Sequence, residues 1–252
     1  AGPRGGGGDA TAFGFSVAVN GEARLVRISR AKALRLQRFT SRLGLRQLDP
    51  ALAKDLFVER SDDGLLTKDE FDRCVRHLAP NKALAPEERQ EFTVLLSGLY
   101  FGFDRTESSV VDATDLACGF SLVCAGSKSH KLALAFDWMD DDGDGRLTRR
   151  GLWRCLRSFL CALLTLGGDG LSMSSKELSQ LCDGAALATA AQVLGCRDRR
   201  RAAQGAGEPA ADDDGVSFDD IAEWYSETGQ TEALWIELLD LGKWAFLTPE
   251  QA

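Results

Sequence analysis

Residues 140–148 read Asp140-Asp141-Asp142-Gly143-Asp144-Gly145-Arg146-Leu147-Thr148, and the reading of this stretch decides the rest. Carboxylates stand at its first, third and fifth positions, so in a tight loop Asp140, Asp142 and Asp144 converge on one point. Gly145, sixth, permits the sharp turn. Arg146, seventh, offers its backbone carbonyl, and Thr148, ninth, offers a hydroxyl or a water-bridged contact. Leu147, eighth and apolar, is placed to pair with a neighbouring loop. Phe136 and Met139 before the loop, and Leu152 after it, have the apolar spacing of two helices. The twelfth position, where a bidentate Glu is expected, is Gly151, which removes two of about seven oxygens. The remaining set suits a weak Ca²⁺ site or a Mg²⁺ site completed by water.

Working outward, helical patterns are separated by polar segments near 59–70, 104–115, 140–151 and 209–220. The first errs in the opposite way from 140–151. Glu59, Ser61, Asp63, Leu65 and Glu70 take the ligand positions, with Gly64 sixth and Leu66 eighth, but Glu59 replaces an Asp. Phe57 also stands one residue early, as though the loop were lengthened. Thr67 and Glu70 form a Thr-x-x-Glu capping pattern as well, so the segment reads equally as a weak site or a helix cap. The second segment keeps Asp104 and Asp115 at its ends but has Ser109 where glycine belongs, which suits a structural partner. The fourth fits only as Pro209 to Asp220, with Val216 eighth, and its composition argues for an empty loop. The stretch 197–212 reads as an inserted loop ahead of it. Four helix–loop–helix units account for this order better than a single bundle.

The chain has 252 residues, 44% apolar and 27% charged, which excludes a wholly disordered polymer and allows one large domain or two smaller ones. No apolar run approaches the roughly 18 residues needed to span a bilayer. The best, Leu152 to Leu166, is broken by Arg154 and Arg157. The formal charge of -8 argues against a nucleic-acid partner, but it is an average. Residues 1–48 hold nine basic and two acidic side chains, whereas residues 206–252 hold one and twelve. Residues 24–46 carry Arg24, Arg27, Arg30, Lys32, Arg35, Arg38, Arg42 and Arg46 and no acid. Read as a basic helix, this stretch suits an anionic surface, the acidic rear of the same chain, or a solvated face packed on its own lobe. The seven cysteines are odd in number, form no Cys-x-x-Cys pair and fall in apolar patterns, which with no visible secretory signal favours a reducing compartment. The chain starts at Ala, which leaves room for a trimmed start.

Residues 1–12 read as a flexible tail. Two β-prone runs, 13–19 and 23–28, flank Asn20-Gly21 and suit a short hairpin. Ser29 caps a helix that runs to about Leu43, and Gly44 stops it. At the other end, residues 232–247 (EALWIELLDLGKWAFL) read as an apolar helix suited to fill the chain's own groove or join a neighbouring domain. Helix 151–166 is apolar nearly all round, so a tail or a partner should bury it. His77 and His130 lack zinc spacing, and no nucleophile elbow, phosphate loop or dinucleotide fingerprint occurs. The reading is a protein that is not an enzyme.

Phe103-Asp104-Arg105, Gly119-Phe120-Ser121-Leu122, Gly126-Ser127, Lys131-Leu132, Ala135-Phe136 and the 140–148 loop together resemble the four-EF-hand calcium-sensor family. That family includes recoverin-like proteins, calcineurin B and calaxin, the last being most similar. Val216-Ser217-Phe218-Asp219-Asp220-Ile221 resembles a final hand. The match covers about residues 50–225, with specific motifs at 103–148. The resemblance implies an all-α fold: two lobes of paired EF-hands, short β pairing between loops, and an N-terminal basic helix. The expected divisions are 1–28 (tail and hairpin), 29–127 (first lobe) and 128–252 (second lobe with the C-terminal apolar helix). It implies calcium signalling through a protein partner held in an apolar groove, in the cytoplasm or on a ciliary or cytoskeletal structure. The rival readings are a metal-free structural component of such an assembly and a regulatory segment of a larger enzyme.

Overall fold

A computed structural model of the chain describes residues 11–19, 21–80, 84–205 and 215–247. The expected tail therefore lies, up to residue 10, outside the described residues. Strands β1 (Thr11–Val19) and β2 (Glu22–Ser29) pair antiparallel, with Val19 opposite Glu22 and Phe13 opposite Ile28. Gly21 takes φ +79°, as a two-residue hairpin turn requires. Strand alternation buries Phe15, Val17, Val26 and Ile28 on one face. Ser29 then caps α1 (Arg30–Arg42) by accepting from the Lys32 amide. The basic stretch 24–46 is thus not one helix: its first residues belong to β2. Helix α1 packs against residues 241–247 of the acidic rear, and several of its charges pair elsewhere. Arg35, Arg38 and Arg42 face Glu88 and Glu91, and the Lys32 ammonium bonds to the Gly168 carbonyl at 2.7 Å and to Asp169 at 3.0 Å.

Four helix–loop–helix units follow. The first is α2 (Pro50–Glu59), β3 (Leu65–Thr67) and α3 (Lys68–Leu78). The second is α4 (Pro86–Phe103), β4 (Val110–Asp112) and α5 (Ala113–Phe120). Strands β3 and β4 pair antiparallel, with Leu66 opposite Val111. The third unit is α6 (Lys128–Met139) and α7 (Arg149–Leu166), and the fourth is α8 (Ser175–Ala203) and α9 (Phe218–Trp224). Leu147 and Val216 join the loops of these two by reciprocal amide–carbonyl bonds of 2.8 and 2.9 Å. The stretch expected as a loop from residue 197 is helical to Ala203; residues 206–214 lie outside the described set.

Helix α7 lies at the centre and packs against α4, α5, α6 and α8. Its side chains from Cys155 to Leu166 are buried all round, as an apolar helix without a polar face must be. One continuous cluster of buried side chains runs from Phe15 to Trp244, across the expected boundary at 127/128. All seven cysteines sit within it as free thiols. Residues 234–247 do not form the expected apolar helix. They make two 3₁₀ segments, Leu234–Leu239 and Leu241–Leu247, because apolar residues without helical period must turn inward on several sides. Trp235, Ile236, Leu238, Leu239 and Trp244 are buried there.

Helix α6 holds this segment in place. The buried Lys131 ammonium donates to the Leu239 carbonyl at 3.0 Å and to that of Leu122 at 2.8 Å. Burial pulls its pKa down to about 8. Burial works the other way on Glu237, yet bonds from Lys128, Lys243 and the Tyr225 hydroxyl hold it down to about 2. Among the described residues no helix is long and apolar enough to cross a membrane.

Candidate metal centre

Loop 140–148 gathers its acids. Asp140, Asp142 and Asp144 each present a carboxylate oxygen within 4.8 Å of the others, the one such group of three among the described residues. The cause is local. Left-handed Gly143 and Gly145 (φ +72° and +78°) turn the backbone so that its amides point inward. Asp140 accepts from the Gly143 and Gly145 amides at 3.0 and 2.9 Å, and Asp144 accepts from that of Arg146 at 2.7 Å. These bonds engage both oxygens of Asp140 and one of Asp144, and they bring like charges together, which is costly without a counter-charge. Ionised carboxylates are hard acceptor-only donors, the chemistry that Ca²⁺ and Mg²⁺ take. The residues present fit a hard divalent cation.

The later positions contribute less. The Arg146 side chain reaches away from the acids and donates to the Gly215 carbonyl at 3.0 Å, tying this loop to the fourth. Thr148 caps α7, its hydroxyl oxygen accepting from the Gly151 amide at 3.0 Å, so any ninth-position contact must share that oxygen. Gly151 is buried, and a Cβ there would stand 3.1 Å from the Met139 carbonyl oxygen.

The first loop does not gather. Glu59 is the exposed last residue of α2, and the Ser61 hydroxyl donates back to the Val58 carbonyl at 2.7 Å. Asp62 and Leu65 close a tight turn by reciprocal 2.9 Å bonds, which occupies the Leu65 carbonyl expected as a ligand. Asp63 holds φ +49° at the exposed tip. Thr67 caps α3 at 3.3 Å, but the Glu70 carboxylate pairs with Arg73 instead of closing the box. Glu59, Asp63 and Glu70 are therefore not brought together as the sequence pattern suggested, because the loop's backbone bonds are satisfied internally.

Protein groups close the second loop. Asp104, 6% exposed, accepts from the Ser108 and Ser109 amides at 2.9 Å each. Glu107 and Ser109 carry the left-handed φ (+54° and +65°) that glycine would carry more cheaply. The Tyr100 hydroxyl, 2.9 Å from both the Leu66 and the Ser109 carbonyl, staples this loop to the first. Asp112 caps α5 through the Thr114 and Asp115 amides, and its other oxygen lies 3.1 Å from Arg154 of α7. Asp115 takes Arg154 Nε at 2.9 Å and Nη2 at 2.8 Å. Burial and neighbouring Asp112 push Asp115 up to about 6, against the pull of Arg154. Next to this group, Asp183 of α8 accepts from Arg157 at 2.7 Å and Arg105 at 2.8 Å.

Sequence reasoning passed over Arg154, which entered it only as an interruption of an apolar helix. A charge inside such a helix is itself the signal that an acid must lie opposite. In the fourth loop, Asp220 accepts from the Ser217 amide and hydroxyl at 2.9 Å and so caps α9; Pro209 to Asp214 lie outside the described residues.

No protein-family model matches the chain. Over 122 residues it is 25% identical to the calcium-binding protein NCSA of Dictyostelium discoideum. The matched stretch makes up 48% of this chain and 58% of that protein, so the chain spans less than two thirds of the curated relative it matches.

Proposed function

We propose that this chain is an EF-hand calcium-binding regulatory protein without enzymatic activity, its four units paired in two lobes, that acts by recognising a protein partner. The observation that carries the reading is the convergence of Asp140, Asp142 and Asp144 in one loop between α6 and α7. The likeness to a calcium-binding protein across 48% of the chain supports it. Bound Ca²⁺, or Mg²⁺ completed by water, would supply the positive charge that three close carboxylates lack. Asp140, Asp142 and Asp144 would hold it, with the Arg146 carbonyl completing the set. Holding the loop fixes the angle between α6 and α7, and α6 in turn grips the segment 234–247 through Lys128 and Lys131. A partner's apolar helix would take up the groove that this segment now fills.

Terbium luminescence, sensitised by Trp138 two residues before the loop, and calorimetry with Ca²⁺ and Mg²⁺ test this. The expected result is one emitting site in the wild type and none in Asp140→Ala. Absence of emission and heat in the wild type sinks the reading. A second reading, a metal-free structural component, rests on the inward amides that already bind Asp140 and on Gly151 at the twelfth position. It predicts that chelator leaves folding and partner binding unchanged.

A further inference from the structure

In the register 104–115, Asp104, Asp112 and Asp115 hold the first, ninth and twelfth positions, those that a bound cation would tie together. Here the front of the loop is closed by its own amides on Asp104. The back is closed by a guanidinium arriving from α7. Arg154 is 16% exposed on its side chain and reaches both acids, through Nη2 to Asp112 at 3.1 Å and through Nε and Nη2 to Asp115. Only a planar fork serves two carboxylates in this way; an ammonium is a point charge. Its Nη1 also lies 3.9 Å from exposed Asp141 of the third loop.

The geometry points to Arg154 as the built-in cation of the second unit: it balances Asp112 and Asp115 in place of a metal and holds that unit shut whatever the metal supply. The cation response of the proposed function is then confined to loop 140–148. The clamp stands without that function, and its test runs in chelator.

Arg154 and Asp115 are mostly covered and Asp112 is partly exposed; a covered ion pair is worth little against an apolar substitute, but removing one member alone leaves the other uncompensated. The charge balance therefore shows in a cycle. In EDTA at pH 7, Arg154→Met lowers the folding equilibrium constant more than 100-fold in the wild-type background. With Asp112→Asn and Asp115→Asn already present, the same change costs less than about threefold, since Asn keeps the α5 cap. An equal loss in both backgrounds makes Arg154 a packing residue and overturns the proposal. If Arg154→Met alone does not fold, a folded triple variant supports the proposal and an unfolded one overturns it. The second arm uses Asp140→Ala, which silences the third loop. Its unfolding midpoint should be the same in EDTA and in millimolar Ca²⁺. A calcium-dependent rise there reveals another responding loop and overturns the confinement.

Discussion

Loop 140–148 and loop 104–115 solve the same electrostatic problem in opposite ways. Each must hold acids close together at the turn between two helices. The third unit gathers three carboxylates on a backbone bent by two glycines, Asp140 half-buried and Asp142 and Asp144 exposed. The second uses no glycine, accepts left-handed strain at Glu107 and Ser109, and brings in Arg154 from the next unit. In the proposed reading the third loop would respond to a cation, and the second, which already holds Arg154, would not. The difference turns on what stands near the twelfth position: Gly151, which offers nothing, against Asp115, which is already taken.

The largest effect should come from the cost of the second solution. One guanidinium faces two acids, Asp112 partly exposed and Asp115 mostly covered, and burial with the Asp112 charge raises Asp115 from the ordinary 3.8 to about 6. A carboxyl raised on folding stabilises fully below pH 3.8, and that contribution is lost as pH rises through 6. Two pKa units correspond to about 3 kcal/mol. Between pH 4 and 7 the wild type should therefore lose up to about 3 kcal/mol relative to Asp115→Asn. Urea unfolding of both proteins at the two pH values reads this directly. Parallel stabilities would mean that Arg154 fully compensates Asp115, and the contrast between the loops would soften.

A smaller effect is expected where the third loop is incomplete. Gly151→Glu supplies two carboxylate oxygens at the twelfth position and completes a Thr148-x-x-Glu box at the start of α7. Glycine within a helix costs roughly 1 kcal/mol, which offsets part of the crowding against the Met139 carbonyl at 3.1 Å. Calcium affinity should rise about tenfold, or about 1.4 kcal/mol, with little change for Mg²⁺. Calorimetry with both ions checks it. Unchanged affinity would show that the three aspartates alone define the site.

How much of this was legible depended on the reach of each interaction. The 140–148 loop could be read because its ligands, glycines and pairing residue Leu147 all lie within nine residues. The hairpin was legible for the same reason. Arg154 was not, because its acids lie 39 and 42 residues earlier and meet it only through the packing of α5 on α7. The polar run after Cys196 looked like a loop, yet Arg197 is buried and donates to the Gly215 carbonyl at 2.8 Å, which carries α8 on to Ala203. The 234–247 segment had the right composition for burial and no period to say in what form.

The smallest effect belongs to the first loop, which sharpens the comparison from outside it. Glu70 fits the twelfth position by spacing, yet its carboxylate lies against Arg73, one turn along its own helix. That pair is partly exposed, and such pairs contribute at most about 1 kcal/mol. Glu59 is exposed and ends α2. Glu59→Gln and Glu70→Gln together should thus change calcium affinity less than twofold and leave the unfolding midpoint nearly unmoved, measured by the same calorimetry and by thermal denaturation. A clear loss of affinity would mean that the Asp62–Leu65 turn opens when a cation arrives. The first loop would then join the third as a waiting site, and the second, held by Arg154 of α7, would stay closed.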